Sequence, residues 1–394
     1  MQHNEQPTLP IADRASAEHS IRVVEFIRAR MADGEGSLSF AEFMQCALYA
    51  PCLGYYVGGT SKFGAEGDFV TAPEVSPVFG RVLARQCAEV LADVDGGTIL
   101  EYGAGSGRLA ADILSALARQ DALPDLYQIL EVSPDLQQRQ ADYLRAEIPD
   151  LVSRVSWLDL PPVHHEGVII ANEVLDALPV ERFTKRADGV KQHRVVPRGD
   201  AFDIEEVPAP DFLADAVIAI EQGLGRSLPI GYVSEVSVGL SGWVSDLAAS
   251  LQKGVVFLFD YGVTRCEYYA AERSDGWLRC HFRHHAHNDP LILIGIQDLT
   301  AWVDFNAVAD AGVQSGLDIA GYSAQAQFLM SGGLDAEMQG FESLALEAQL
   351  ELSTQIKTLT LPGEMGEHFK CMALRRGNVR TPSAFQMSDR THTL

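Results

Sequence analysis

Basic side chains are in short supply in this sequence: 30 Lys and Arg stand against 54 Asp and Glu, for a formal net charge of −24. A surface of that sign repels phosphate backbones and anionic headgroups, which argues against nucleic-acid binding and membrane attachment and suits a basic protein or peptide partner. Cysteine is sparse as well. Cys46, Cys52, Cys87, Cys266, Cys280 and Cys371 form no C-x-x-C pair and no regular framework, so reduced thiols are expected rather than a disulfide scaffold. Long apolar runs are missing, with none near the ~20 residues that span a bilayer, so no membrane insertion is expected. The first residues show no charged-then-apolar leader, and Glu5 and Asp13 come too early for an acid-poor transit peptide. A cytoplasmic globular protein is the expectation, and 394 residues at 47% hydrophobic content supply a large core.

Two chemical signatures are incomplete. His281, His284, His285 and His287 fall within seven residues. Without H-E-x-x-H spacing or a cysteine pair they do not read as a zinc site, and no metal is expected. The second signature organises the chain. Gly103, Gly105 and Gly107 follow the apolar pair Ile99-Leu100 and precede a helical stripe from Leu109 to Leu117, so a buried strand turns through glycines into a helix. Glycine at alternate positions lets the backbone turn sharply and approach a ligand, and the helix behind it points free N–H groups into the crevice. A dinucleotide fingerprint would need glycine at 108, where Arg108 stands, which disfavours a nicotinamide dehydrogenase. Gly-x-Gly-x-Gly preceded by Glu101 resembles instead the first motif of class I S-adenosylmethionine (SAM) methyltransferases, whose loop meets the methionyl end of the cofactor.

Taken in order, residues 1–17 read as a tail. Helical spacing of Ile21, Val24, Ile27 and Met31 and the pair Ser39 and Glu42, a capping box, mark two helices. A glycine- and proline-punctuated segment from Gly54 to Pro77 suggests a loop that packs over something. Strands expected at 127–132, 155–158, 167–171 and 255–259 continue a βα alternation. Glu131 ends the first of these, with Val132 beside it, placed for a two-pronged hold on ribose hydroxyls. Trp157, Leu158 and Asp159 end the next, where an adenine is sandwiched or where Trp157 simply packs. The run 167–171 delivers Asn172, Glu173 and Asp176 beyond a strand's carboxyl end, where ligands bind in an open α/β sheet. Alternation around Asp188-Gly189 and Arg198-Gly199 predicts an antiparallel insertion. Final strands are expected near 317–321 and 370–374.

These segments together resemble the MidA/NDUFAF7 family of class I SAM-dependent methyltransferases over 20–375. The resemblance is carried by Ser39-Phe40-Ala41-Glu42-Phe43-Met44, Leu53-Gly54-Tyr55-Tyr56, Gly67-Asp68-Phe69-Val70-Thr71-Ala72-Pro73-Glu74, Glu101-x-Gly103-x-Gly105-x-Gly107 and Asn172-Glu173-x-x-Asp176-Ala177-x-Pro179. Asp260-Tyr261-Gly262, Arg283-His284 and Asp304-Phe305 add to it. It implies an α/β, Rossmann-like fold with a mostly parallel seven-stranded sheet. A helical extension and cofactor-covering loop would occupy 18–95, and the methyltransferase domain 96–376, with insertions near 181–240 and 261–300 and a polar tail at 377–394. SAM would be held by Gly103, Ala104, Gly105, Gly107 and Glu131, with Val132, Leu158 and Asp159, and with Asp68, Thr71 and Pro73 covering it. The family's mitochondrial member is a protein arginine methyltransferase acting on a subunit of respiratory complex I, so the implied partner is a protein substrate, a respiratory-complex subunit among the candidates. Catalytic candidates are Glu173 and Asp176, gripping a guanidinium, and Asn172, orienting it; Asp260, Arg283 and His284 are substrate-binding candidates. Trp302 departs from the family's pattern, which more usually has histidine there. A non-catalytic SAM-binding assembly factor is the rival from another class, and a ribose clamp argues against it.

Overall fold

The apolar runs become strands of one sheet. The computed structural model describes residues 9–58, 70–94 and 97–394. Strands β1 (Thr98–Tyr102), β2 (Leu126–Leu130), β3 (Val155–Leu158), β4 (His165–Asn172), β5 (Leu251–Val263), β6 (Asp318–Ala324) and β7 (Phe369–Arg376) lie in the spatial order β3-β2-β1-β4-β5-β7-β6. Pairing is parallel from β3 through β5, and β7 runs antiparallel to β5 and β6. The short strand Val303–Asp304 adds a parallel partner at the end of β5. Val168, Ile169, Ile170 and Ala171 are buried in succession, as a strand covered on both faces requires. Strand order reverses between β1 and β4, where Tyr102 pairs with Ala171. Such a reversal opens a crevice at the carboxyl ends of the two strands.

This sheet belongs to a unit made of Val70–Leu175, Ser241–Thr264 and Val303–Leu394. The helix Pro77–Val94 is part of it, because Phe79, Val82, Leu83 and Val90 are buried in one cluster with Ile99, Val168 and Val255. The extension expected over 18–95 therefore ends before that helix, whose apolar face covers the sheet. At the end of the chain, Val379, Ala384 and Phe385 of the polar tail are buried in the same cluster, and Phe385 fills the space that a Cβ on Gly321 would take.

A second unit collects residues 9–58, Asp176–Leu240 and Arg265–Trp302. Its helix Arg14–Asp33 is capped by Asp13, which accepts from Ser16 N at 2.9 Å, so helix begins inside the expected tail. Helix Phe40–Tyr49 opens on the capping box: Ser39 Oγ accepts from Glu42 N at 3.2 Å, and Ser39 N donates to Glu42 Oε2 at 2.7 Å. The antiparallel insertion is built of Glu181–Arg186, Gly189–Arg198 and Ala201–Pro208, with Leu38–Ser39 and Val233–Val236 at its edges. A smaller sheet sets Arg279–Phe282 between His285–His287 and Asp298–Thr300, so the histidine-rich stretch is a hairpin. Among the described residues no group of three or more His, Cys, Asp or Glu stands close enough to hold a metal ion, and no helix is long and apolar enough to cross a membrane.

Candidate active site

The glycine turn leaves β1 at its carboxyl end. Gly103, Gly105 and Gly107 take φ of 63°, 53° and 87°, left-handed values that glycine adopts without strain. Gly103 N donates to Leu130 O at 3.0 Å, Gly107 N donates to Ala104 O at 2.8 Å, and Gly107 caps the helix Arg108–Arg119. Ala104 is buried, whereas Gly103 is exposed, so backbone alone faces outward there. The segment after residue 69 reaches this turn through Glu74: Ser106 Oγ donates to its carboxylate, and Arg108 lies 3.7 Å from it. Pro73 is buried and Thr71 half-buried in that segment. Asp68 lies outside the described residues.

Glu131 follows β2 and is buried at the same end of the sheet. Its Oε1 accepts from Ser133 N at 3.0 Å and its Oε2 from Gln140 Nε2 at 3.1 Å. Gln140 Nε2 also donates to Gly105 O at 3.0 Å, and Gln140 Oε1 accepts from Trp157 Nε1 at 2.9 Å. Trp157 therefore turns its polar edge to Gln140, and its ring packs on the apolar cluster, which favours the packing alternative. Val132 and Asp159 are exposed and Leu158 half-buried at the neighbouring strand ends. Below the turn, Glu101 is buried and accepts from Tyr127 Oη at 2.8 Å. Burial pushes its carboxyl up to about 7; the tyrosine bond opposes the shift and the Glu131 charge adds to it.

At the end of β4, Asn172 Nδ2 donates to Glu173 Oε1 at 3.2 Å, and Asn172 Oδ1 is buried with no hydrogen-bond partner among the described residues. Glu173 sits at φ 54°, and its N–H donates to Phe259 O at 2.8 Å. Asp260 is fully buried, and its Oδ2 and Oδ1 accept from Leu175 N and Tyr261 N, both at 2.9 Å, so it braces the Glu173 turn.

The remaining candidates fall in the second unit. The division between units lies between Leu175 and Asp176, so the structure places Asn172 and Glu173 in one and Asp176 in the other. Asp176 is buried, and its carbonyl accepts from Ala301 N at 2.9 Å. Residues that sequence reasoning did not assign to the site stand near it: Tyr56 Oη donates to Asp298 at 2.9 Å, and Tyr49 stacks on Tyr56 with ring centroids 5.5 Å apart. Burial holds the Tyr56 phenol well above its ordinary range, helped by the charges of Asp298 and Asp176. Arg283 and His284 form the hairpin turn at φ 48° and 62°, and the Arg283 guanidinium is engaged by Asp13 and the Ile11 carbonyl. Trp302 stacks on Trp277 at 4.2 Å, with the Arg273 guanidinium also 4.2 Å from the Trp277 ring, so the departure at 302 is accommodated as packing.

The donor set of the first unit fits a nucleoside cofactor with a methionine-like tail: a side-chain-free turn at a helix N-terminus, and a carboxylate one strand away. Comparison with known proteins agrees. Residues 82–323 match a family described as "Putative S-adenosyl-L-methionine-dependent methyltransferase". The chain is 28% identical over 373 residues to the Drosophila melanogaster protein arginine methyltransferase NDUFAF7 homolog, mitochondrial, covering 87% of this chain and 82% of that protein. It is 30% identical over 368 residues to protein arginine methyltransferase NDUFAF7, mitochondrial, of Mus musculus, covering 86% and 81%. A Burkholderia thailandensis crystal structure bound to S-adenosyl-homocysteine superposes with a TM-score of 0.92 at 38% identity, over 98% of this chain and 100% of that one.

Proposed function

The chain belongs to this family of S-adenosyl-L-methionine-dependent methyltransferases, and from that premise we propose that it methylates an arginine side chain of a protein, with Asn172 and Glu173 at the receiving nitrogen. The observation that carries the reading is the pairing of β1 with β4, which sets the glycine turn beside Asn172 and its buried Oδ1, which has no hydrogen-bond partner among the described residues. The bound cofactor supplies a methyl group on a sulfonium sulfur. Gly103, Ala104, Gly105 and Gly107 cradle its amino-acid end, Glu131 its ribose, and Val132, Leu158 and Asp159 its base, with Thr71 and Pro73 beside it.

A guanidinium is protonated at every physiological pH, so its nitrogens are poor nucleophiles until the charge is drawn to one side. A carboxylate that accepts two N–H groups does this, and in this reading Glu173 is that carboxylate. Asn172 Oδ1 accepts a further N–H and aims the attacking nitrogen, so that nucleophile, methyl and sulfur align. The relatives' name supports the protein-arginine substrate, and the net charge of −24 favours a basic segment. A respiratory complex I subunit is the finer candidate that the family resemblance supports. A reducing compartment, the cytoplasm in this reading, suits six free cysteines.

The test is transfer from labelled SAM into a lysate of cells lacking this protein, with mass spectrometry of the labelled band. Methylarginine in a single protein is the expected result. Label on another residue type overturns the arginine reading, and cofactor binding without transfer overturns catalysis in favour of the assembly factor.

A further inference from the structure

Gln140 lies on the helix Pro134–Glu147, carries no motif, and is fully buried. Its amide has one orientation consistent with its neighbours. Trp157 Nε1 is a donor only, so the atom facing it is Oε1; Nε2 then faces the Gly105 carbonyl at 3.0 Å and the Glu131 carboxylate at 3.1 Å, both acceptors. Both amide protons and the oxygen are thereby committed, and one side chain joins three chain segments: the glycine turn after β1, the acid after β2, and the strand β3. Gln140 also backs the turn, since a Cβ on Gly107 would lie 3.5 Å from its Cα and Cβ and 3.6 Å from its Cγ.

We propose that Gln140 is a positioning residue of the cofactor site, whose amide fixes the Glu131 carboxylate and the Gly105 carbonyl in the arrangement that receives SAM. The proposal rests on the assignment of Glu131 and the glycine turn to the cofactor. An ionised carboxylate held by a donor is pre-oriented, so binding need not order it. Replacing the amide by a carboxylate reverses this, because two like charges at hydrogen-bond distance repel until they share a proton. At low pH a protonated Glu at 140 again donates to Glu131, as the amide does.

The experiment measures S-adenosyl-homocysteine affinity by calorimetry for the full-length wild type, Q140E, Q140M and Glu131→Ala. Apo melting curves serve as the fold control, and each pH is referred to the wild type at that pH. Loss of charge-assisted hydrogen bonds predicts binding weaker by roughly tenfold to hundredfold for Q140E at about pH 8.5, recovering to within about threefold at about pH 5.5. Q140M is expected to be about tenfold weaker at both pH values, since it restores no donor. A pH-independent deficit in Q140E, or both Gln140 variants within about twofold of wild type, overturns the proposal; if Q140E does not fold, Q140M decides on the same twofold criterion. Undiminished binding by Glu131→Ala overturns the underlying assignment of the ribose carboxylate instead.

Discussion

Two glutamates at adjoining strand ends are set apart by their surroundings. Glu173 is half-buried at φ 54°. That conformation costs a non-glycine residue of order 1–2 kcal/mol and persists where neighbours over-determine it. Here the Phe259 carbonyl holds its N–H, and Asp260 holds the N–H of Leu175 two residues on. In the proposed role the charge of Glu173 acts on the guanidinium alone, so E173Q, which keeps the shape, is expected to lower kcat by about 100-fold or more while S-adenosyl-homocysteine affinity stays within about twofold. Transfer at the wild-type rate would remove Glu173 from the mechanism. Glu101 is the opposite case, a carboxyl pushed up by burial from 4.5 to about 7. Below 4.5 the folded and unfolded chains both hold the proton. Between there and about 7 only the folded chain does, so stability falls as pH rises, and above 7 the wild type bears the whole cost of a buried carboxylate, roughly 3 kcal/mol at most. E101Q does not titrate. Its stability relative to wild type is therefore expected to rise between about pH 5 and about pH 8 in denaturant melts, and a difference that stays constant with pH would contradict the assignment.

Among the elements, what was legible in the sequence was what local chemistry decides. The capping box at Ser39, the apolar run 167–171 and the glycine turn each specify their structure within a few residues, and all appear where the pattern put them. Long-range pairing decided the rest. The hairpin at Arg283-His284 is not legible because its turn residues carry no glycine or asparagine, and the network around Gln140 is not because a lone glutamine on a helix announces nothing. Asp260 stood at the expected strand end, but its partner, the N–H of Leu175, is known only once β4 and β5 pair. Helix packing shows the same dependence on tertiary context. A Cβ on Gly80 would come 2.6 Å from Asp112 Cβ, where helix Pro77–Val94 meets Arg108–Arg119, whereas one on Gly242 meets nothing within 4 Å. Gly80→Ala is expected to destabilise by about 1–3 kcal/mol through overpacking. The same change at Gly242, on the helix Leu240–Ser250, is expected to stabilise by about 0.5–1 kcal/mol. Melting temperatures that rise for both would show that propensity, not packing, governs Gly80.

For the molecule as a whole, the stretch matched by the family model and the stretch that folds are different. The match covers 82–323, so it begins inside the helix Pro77–Val94, stops inside β6, and omits β7 altogether. Yet β7 is not peripheral. It lies between β5 and β6 in the sheet, pairing Phe369–Arg376 against Gly254–Tyr261 on one side and against Asp318–Ala324 on the other. Removing it leaves β5 an edge of unpaired N–H and C=O groups flanked by the apolar run Val255–Phe259, a template for association with other chains. It also uncovers the cluster that holds Cys371 and Ala373 together with Phe257 and Phe328. A chain cut to 82–323 is therefore expected to aggregate or to unfold without a cooperative transition, whereas the full chain melts cooperatively and elutes at a defined size. Size-exclusion chromatography and circular dichroism melts decide the matter. A soluble, cooperatively melting truncation that binds S-adenosyl-homocysteine as the full chain does would mean that the cofactor half of the sheet, β3 through β5, is stable without the antiparallel strand that closes it.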